Sequence, residues 1–447
     1  MLLRFSVSGF SRWLRAAGAV VFVGPALALA GCSGEPAATE AAAPRAGAAR
    51  PKPAAAAQPA PLRVRVVVPY AGSMPGFMNY RAPIGATNTE FQRRVGGLLT
   101  AIGKGPTTLA ARGFFTTDAT GALTKSTYAE LRALVDGTAP RARYAPGVEI
   151  PALLADATAA AEATGAVTIL VTDLTHNGGL KTTLAALPGA VTAALTGNQG
   201  PVAFSVYAEP SRFAGLYYPA LRSGPKEVKG GPLPYYIWLI GPAAQISRVA
   251  RQFLPNAPEK QVHVGLTYPA LAGAALLTGL PAGGKLVSGG AGTVYADAGG
   301  VAVEDARKGV EFSFGLDLRD LPMAWQEPAF LAKALEASLP NGAAALVAGS
   351  VRRLTAAERS TSTTLQPYSH VVRVRITKLA PKTSTFTLAL PAPALPAWPT
   401  QWSTDTDKPP SLTTYRLQQI LEGARQAHGE AALPPVFSVA LPLTNQD

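Results

Sequence analysis

The sequence predicts an α/β protein: a mostly parallel sheet with helices on both faces over residues 62–255, followed by a β-rich domain over 256–447. Three observations carry this. Short apolar segments alternate with helical patterns from Leu62 to Phe253, the rhythm of a sheet covered by helices. Several of those segments are apolar at every position, as expected of strands buried on both faces. Beyond Asn256 the rhythm changes to strand-like pieces separated by Gly, Pro and polar turns.

Taken in order, Leu62–Val68 is valine-rich with arginine at alternate positions and predicts a strand. Thr89–Ile102 places Phe91, Val95, Leu98, Leu99 and Ile102 at helical spacing. Gly113–Thr117 predicts a short strand and Thr127–Val135 a helix. Glu149–Ala163 is an alanine-rich helix leading into the apolar strand Ala166–Thr172, and Leu180–Leu195 a helix leading into the strand Val202–Ala208. After a Gly/Pro-rich interruption, Tyr235–Ile240 predicts a strand and Ala243–Phe253 a helix. In the second region Val262–Tyr268, Thr293–Ala296, Val310–Leu316, His370–Leu379 and Thr385–Leu390 predict strands, with antiparallel pairing expected. Helical pieces are expected at Pro328–Ser338 and Leu412–His428. No internal repeat of fixed period is present.

Ahead of these elements lies an address. A basic start (Arg4, Arg12, Arg15) precedes an apolar run from Ala16 to Ala30, too short for a comfortable membrane span of about 20 residues. It ends in Leu29-Ala30-Gly31-Cys32, whose cysteine is the only one in the chain. These four residues resemble the lipobox of bacterial lipoproteins. The resemblance implies a signal peptide over residues 1–31 and a lipid-bearing N-terminus at Cys32 after cleavage. Several acyl chains on one residue anchor a protein durably where a single chain does not. Ser33 follows, where an Asp commonly signals inner-membrane retention, so the resemblance points to the outer membrane of the cell envelope. Residues 32–61 are mostly alanine and proline, cannot form a packed core, and are expected to act as an extended tether.

Cleavage would leave 416 of the 447 residues, enough for two domains. With 48% hydrophobic and 15% charged residues, the chain can bury a substantial core. With Cys32 lipidated, no thiol remains for a disulfide or a cysteine-based metal site. The signal carries three arginines and no acid, so the formal charge falls from +13 to +10 on its removal. The basic residues are scattered, as in Arg63 and Arg65, Arg93 and Arg94, Arg373 and Arg375, with no basic helix and no run with interleaved aromatics. A nucleic-acid partner is not expected; a solvated basic surface facing an anionic envelope is.

The first strand runs into Pro69-Tyr70-Ala71-Gly72-Ser73-Met74, and a later strand ends in Leu170-Val171-Thr172-Asp173. Together with the β/α order, these resemble a von Willebrand factor A (vWA) domain of Rossmann type. That family has a D-x-S-G-S-M turn after its first strand and a T-D at the end of a central one. The final Tyr236–Gly241 plus helix also suits the family's last strand and helix. The likeness covers roughly residues 62–255. It implies a site at the carboxyl edge of the sheet, where open α/β folds place ligands. In the family, oxygen ligands there hold a divalent ion. Here Pro69 and Ala71 occupy two ligand positions, Ser73 and Asp173 alone match, and Glu149 falls in the slot of the family's Thr. Hard divalent ions require more oxygen donors than this, so no metal or other cofactor is expected.

Each remaining candidate has a plainer alternative. Asp173 ends a strand and is expected to cap the following turn rather than ligate. His176 reads as a solvated loop residue beside that edge. Ser73, His176 and Asp173 do not suggest a hydrolytic triad, because Gly72-Ser73-Met74-Pro75-Gly76 is not G-x-S-x-G. The loops after Val68 and Thr172 are expected to lie side by side and present Tyr70, Met74, Phe77, Met78 and His176 to a protein partner, or else Phe77 and Met78 fold back as packing. Phe213, Tyr217, Tyr218, Tyr235, Tyr236 and Trp238 form an aromatic group whose core role is the safer expectation.

The sequence therefore predicts a non-catalytic envelope lipoprotein that binds or scaffolds a protein through a vWA-like domain. The alternatives are capture of a small molecule or glycan at the domain junction and, least supported, an envelope hydrolase. Replacement Cys32→Ser is expected to release the protein from membranes or leave its signal uncleaved; unchanged fractionation and processing on immunoblots of separated membranes would refute the anchor.

Overall fold

The computed structural model describes residues 61–80, 88–105, 109–139, 145, 147–174, 176, 181–220, 224–268, 275–277, 293–297, 300–379, 383–406, 412–429 and 433–446. The signal, Cys32 and nearly all of the tether lie outside the described residues. Within them, a central sheet is built from β1 (Leu62–Val67), β2 (Leu109–Thr117), β3 (Leu123–Ser126), β4 (Val167–Thr172), β5 (Ala203–Arg212), β8 (Pro232–Gly241) and β9 (Lys260–Val264), with the short hairpin β6 (Gly215–Tyr217)–β7 (Lys226–Val228) set between β5 and β8. The spatial order is β3-β2-β1-β4-β8-β5-β9. β1 pairs in parallel with β2 and β4. β3 is antiparallel to β2, and β8 lies antiparallel between β4 and β5, with β9 antiparallel on β5. So β2, β1, β4 and β5 share one direction, while β3, β8 and β9 run against it. The sequence treats Tyr235–Ile240 as a further strand of the same run. Instead no helix separates β5 from β8, so the chain folds straight back into an antiparallel neighbour, as hairpin-linked strands do.

The helices α1 (Met74–Met78), α2 (Glu90–Gly103), α3 (Tyr128–Val135), α4 (Ile150–Thr164), α5 (Lys181–Thr196) and α6 (Ala243–Phe253) follow the predicted positions, except that α1 is new. Both α2 and α3 begin with a capping box, Thr89 with Gln92 and Thr127 with Glu130, which satisfies backbone N–H groups that a helix start leaves orphaned. Because strand side chains alternate, successive residues of β4 and β8 enter different cores. Ile169, Val171, Tyr235, Ile237 and Leu239 pack with Phe91, Val95 and Val249 of α2 and α6. Leu170, Tyr236, Trp238 and Ile240 pack with Leu154 and Val191 of α4 and α5. Every residue of β4 is buried.

The β-rich part contains β10 (Ala275–Leu277), β11 (Thr293–Asp297), β12 (Gly300–Glu304), β13 (Val310–Leu316), α7 (Pro328–Ala334), β14 (Glu336–Ser338), β15 (Ala343–Leu346), β16 (Arg352–Arg353), α8 (Ala356–Thr361), β17 (His370–Lys378) and β18 (Thr383–Leu390), then α9 (Trp398–Gln401), β19 (Ser403–Thr404), β20 (Thr414–Tyr415), α10 (Leu417–Gln426) and β21 (Phe437–Asn445). Two five-stranded sheets form here, β10-β13-β17-β15 with β16 also on β17, and β11-β12-β21-β18-β14, while β19 and β20 make a separate parallel pair. Phe312 and Phe314 of one meet Phe386 of the other with ring centroids 5.7 and 5.6 Å apart. Within these two sheets the pairings are antiparallel apart from β12 with β21. The helix expected over Pro328–Ser338 stops at Ala334, because Leu335 turns extended and the next three residues pair with β18. The helix expected from Leu412 starts at Leu417, after β20 and a left-handed Arg416.

The chain does not change character cleanly at residue 256. β9 belongs to the central sheet, its Val262 and Val264 lying in the α4/α5 core. Far along the chain, Trp398, Trp402, Leu417, Ile420 and Leu421 return to that same core, and Tyr236 and Thr414 share a hydrogen bond of 2.7 Å between hydroxyls.

α10 lies so close to α5 that Thr192 Oγ1 donates to the Gly423 carbonyl at 2.7 Å, and a Cβ on Gly423 would stand 2.5 Å from the Pro188 oxygen. On an open helix, Gly→Ala would stabilise by about 1 kcal/mol. Here the clash dominates, so Gly423→Ala is expected to destabilise by roughly 1–3 kcal/mol in chemical denaturation; a stabilised variant would show that the two helices are not in contact.

Candidate functional site

At the end of β1 the chain turns through Pro69–Ser73 into α1, and at the end of β4 it reaches Asp173. Gly72 takes a left-handed conformation (φ 57°) and donates its N–H to the Ala145 carbonyl. This aims the Ser73 N–H at Asp173 Oδ2, 3.2 Å away. Ser73 and Asp173 are thus brought together as their positions in the turn implied. In the turn that follows, Thr172 Oγ1 accepts the Leu174 N–H at 3.0 Å, with Leu174 itself left-handed. Through Ser73, Asp173 ties one strand end to the other.

The edge is closed from above. Ser73 Oγ accepts the Tyr218 N–H at 3.1 Å. Tyr217 and Tyr218 from the β6–β7 segment and Thr414 and Tyr415 of β20 border what is left, a void of about 20 Å³ also lined by Phe77 and Asp173. A volume of that size admits about one water molecule. The turn offers few oxygen donors for a divalent ion: Pro69 and Ala71 have no side-chain oxygen, and the Ser73 hydroxyl already accepts a backbone amide. Among the described residues no group of three or more His, Cys, Asp or Glu is arranged to hold a metal.

The residues expected to face a partner do not. Tyr70, Met74, Phe77 and Met78 are buried, Phe77 and Met78 completely. Phe77 sits among Phe213, Phe91 and Tyr235 at centroid distances of 5.0, 5.5 and 6.0 Å. The reason is α1: five buried residues fold the loop inward under the β6–β7 segment. Of the aromatic group, Phe213, Tyr235, Tyr236 and Trp238 are core as expected, and Tyr217 and Tyr218 are half-buried over the edge.

His176 is also buried rather than solvated. Its Nδ1 accepts the Ile150 N–H at 3.4 Å, leaving the neutral ring's proton on Nε2, which faces Glu149 Oε2 at 3.7 Å. Burial lowers its pKa, with Glu149 opposing the shift. A ring protonated on Nε2 and engaged at the start of α4 is no general base for Ser73. The triad finds no support in this geometry.

Two larger cavities flank β9. One of about 280 Å³ lies between α6, β5 and β9 on one side and the Leu321–Met323 segment on the other. Its wall is mainly apolar, with Ile246, Ala250, Leu254, Leu266, Leu321 and the half-exposed Met323. The polar wall groups already have partners. Ser247 Oγ bonds the Tyr268 hydroxyl, and His263 joins Ser205 Oγ at 2.8 Å to Gln261 Oε1 at 2.9 Å. Burial pushes the Tyr268 phenol up to about 12 and lowers His263 to about 3. The second cavity, about 210 Å³, is lined by His263, Trp325, His428 and several prolines. No motif announced either. The available sign was the small residues Ser247, Ala250 and Ala257 on or beside the apolar face of α6, which leave room where larger side chains would have filled it.

Phe77→Ala is expected to lower stability by about 3–5 kcal/mol in chemical denaturation; a change below about 1 kcal/mol would return this ring to the surface. Searches for relatives add nothing to the site: no family model matches the chain, and neither a curated protein nor a solved structure matches it.

Proposed function

We propose that this chain is a lipid-anchored, non-catalytic protein of the bacterial cell envelope that holds a small, mainly apolar molecule at the seam between its central sheet and its β-rich part. The observation that carries the proposal is the cavity of about 280 Å³ under α6. It is walled by apolar side chains whose few polar neighbours are already bonded. Sites for small molecules are concave, mostly apolar and largely preformed. The lipobox-like Leu29–Cys32 and the Ala/Pro-rich segment after it support the anchor, the tether and an outer-membrane address. Among the described residues no helix is long and apolar enough to cross a membrane.

Kinship to vWA domains is supported by the Pro69–Met74 turn meeting Asp173 at one sheet edge. On this reading that part is a scaffold: its edge, filled by Tyr217, Tyr218 and Tyr415, has no room for a partner's carboxylate. Among the described residues, the Ser73, His176 and Asp173 arrangement does not support catalysis.

The test is titration with the fluorescent apolar probe 1-naphthylamine, whose ten carbon atoms match the volume of the cavity. One saturable site is expected in the purified protein, with binding weakened at least tenfold by Ala250→Trp, which fills the cavity, while thermal unfolding still reports a folded chain. Absence of saturable binding, or binding untouched in a folded Ala250→Trp variant, would refute the ligand site.

A further inference from the structure

Among the described residues that wall the cavity under α6, Arg251 is the one ionised side chain and there is no carboxylate. Arg251 on α6 lines the chamber, with its side chain about a third exposed. Its Nη1 donates to the Arg319 carbonyl and to Asp320 Oδ1 at 2.8 Å. Asp320 is 59% exposed, and ion pairs in such settings are weak because water competes for both partners. A guanidinium is a planar fork that holds a carboxylate through two nitrogens. An incoming carboxylate could therefore exchange with Asp320 without any new charge being taken out of water unpaired.

The interior sets the other half of the ligand. With Ser205, Ser247 and Gln261 already hydrogen-bonded within the wall, a polyol or glycan would find few open partners there and would lose its hydration for little return. A hydrocarbon chain loses nothing of that kind. A cavity of about 150 Å³ takes up one benzene ring, so a chamber of about 280 Å³ has room for on the order of ten carbon atoms.

Resting on the reading of this cavity as a ligand site, we propose that it binds a single-chain monocarboxylate of medium length, with the alkyl chain between α6 and the Leu321–Met323 segment and the carboxylate on Arg251.

The experiment is calorimetric titration of the full-length protein in nanodiscs, with empty nanodiscs as the blank. The probes are hexanoate, octanoate and decanoate, with 1-octanol as the neutral counterpart. Affinity is expected to rise about fourfold per added methylene. Arg251→Gln should weaken octanoate about tenfold or more and leave 1-octanol unchanged. Asp320→Asn, on an exposed side chain, should tighten octanoate by up to about fivefold. Equal binding of octanoate and 1-octanol, unmoved by either substitution, would overturn the assignment to Arg251 while leaving the cavity a ligand site. Uptake of the naphthylamine probe without any alkyl carboxylate would overturn the ligand class. Failure of every probe would overturn the cavity reading as well.

Discussion

The arrangement depends on one constraint: β4 and β8 are apolar on both faces, so both faces of the central sheet must be covered. On one side α2, α3 and α6 provide the cover. On the other, α4 and α5 meet a surface made of Phe204, Val206, Trp238, Ile240, Val262 and Val264, and residues from the far end of the chain complete the layer. Trp398, Trp402 and the apolar face of α10 supply what two helices do not. This is why the β-rich part is threaded back into the α/β part.

The same return sets the fate of the sheet's carboxyl edge. To bring α10 onto α5, the chain passes through β20, placing Thr414 on Tyr236 and Tyr415 at the mouth above Ser73 and Asp173. The β5–β8 connection, with no helix to build, lays Tyr217 and Tyr218 across the same mouth. An edge that open α/β folds keep free for ligands is here a packing surface. The space has moved to the opposite core, where α6 carries alanine and serine toward β5 and β9.

What could be read from the sequence follows from where local pattern decides the outcome. Phe91, Val95, Leu98 and Ile102 fix a helix by spacing alone, and the Ser73–Asp173 meeting followed from two strand ends. Strand direction was not local. The relative placement of β5, β8 and β9 depends on a long connection rather than on any residue in them. β21 went unseen because Pro442 argues against a paired strand, although Phe437, Val439, Leu441 and Leu443 alternate and its backbone pairs with β18 over eight residues. Phe77 and Met78 looked like loop residues because a five-residue helix leaves almost no periodic trace. His176 looked solvated because its neighbours in sequence are polar; its burial comes from the backbone of Val148 and Ile150. The cavity is defined by small side chains, an absence of volume that no motif marks.

All four histidines, His176, His263, His370 and His428, have their pKa lowered, in each case first by burial. Each ring is held neutral in the fold yet free to take a proton once unfolded, near its ordinary pKa of about 6.5. Protons therefore favour the unfolded chain: stability is complete above that pH and falls as acidity increases toward the depressed folded values. For His263 alone, with its folded value about 3, the loss by pH 5 is about 2 kcal/mol. The fold is thus sensitive to the acidity of its surroundings, a property of the sheet's thorough coverage rather than of any site.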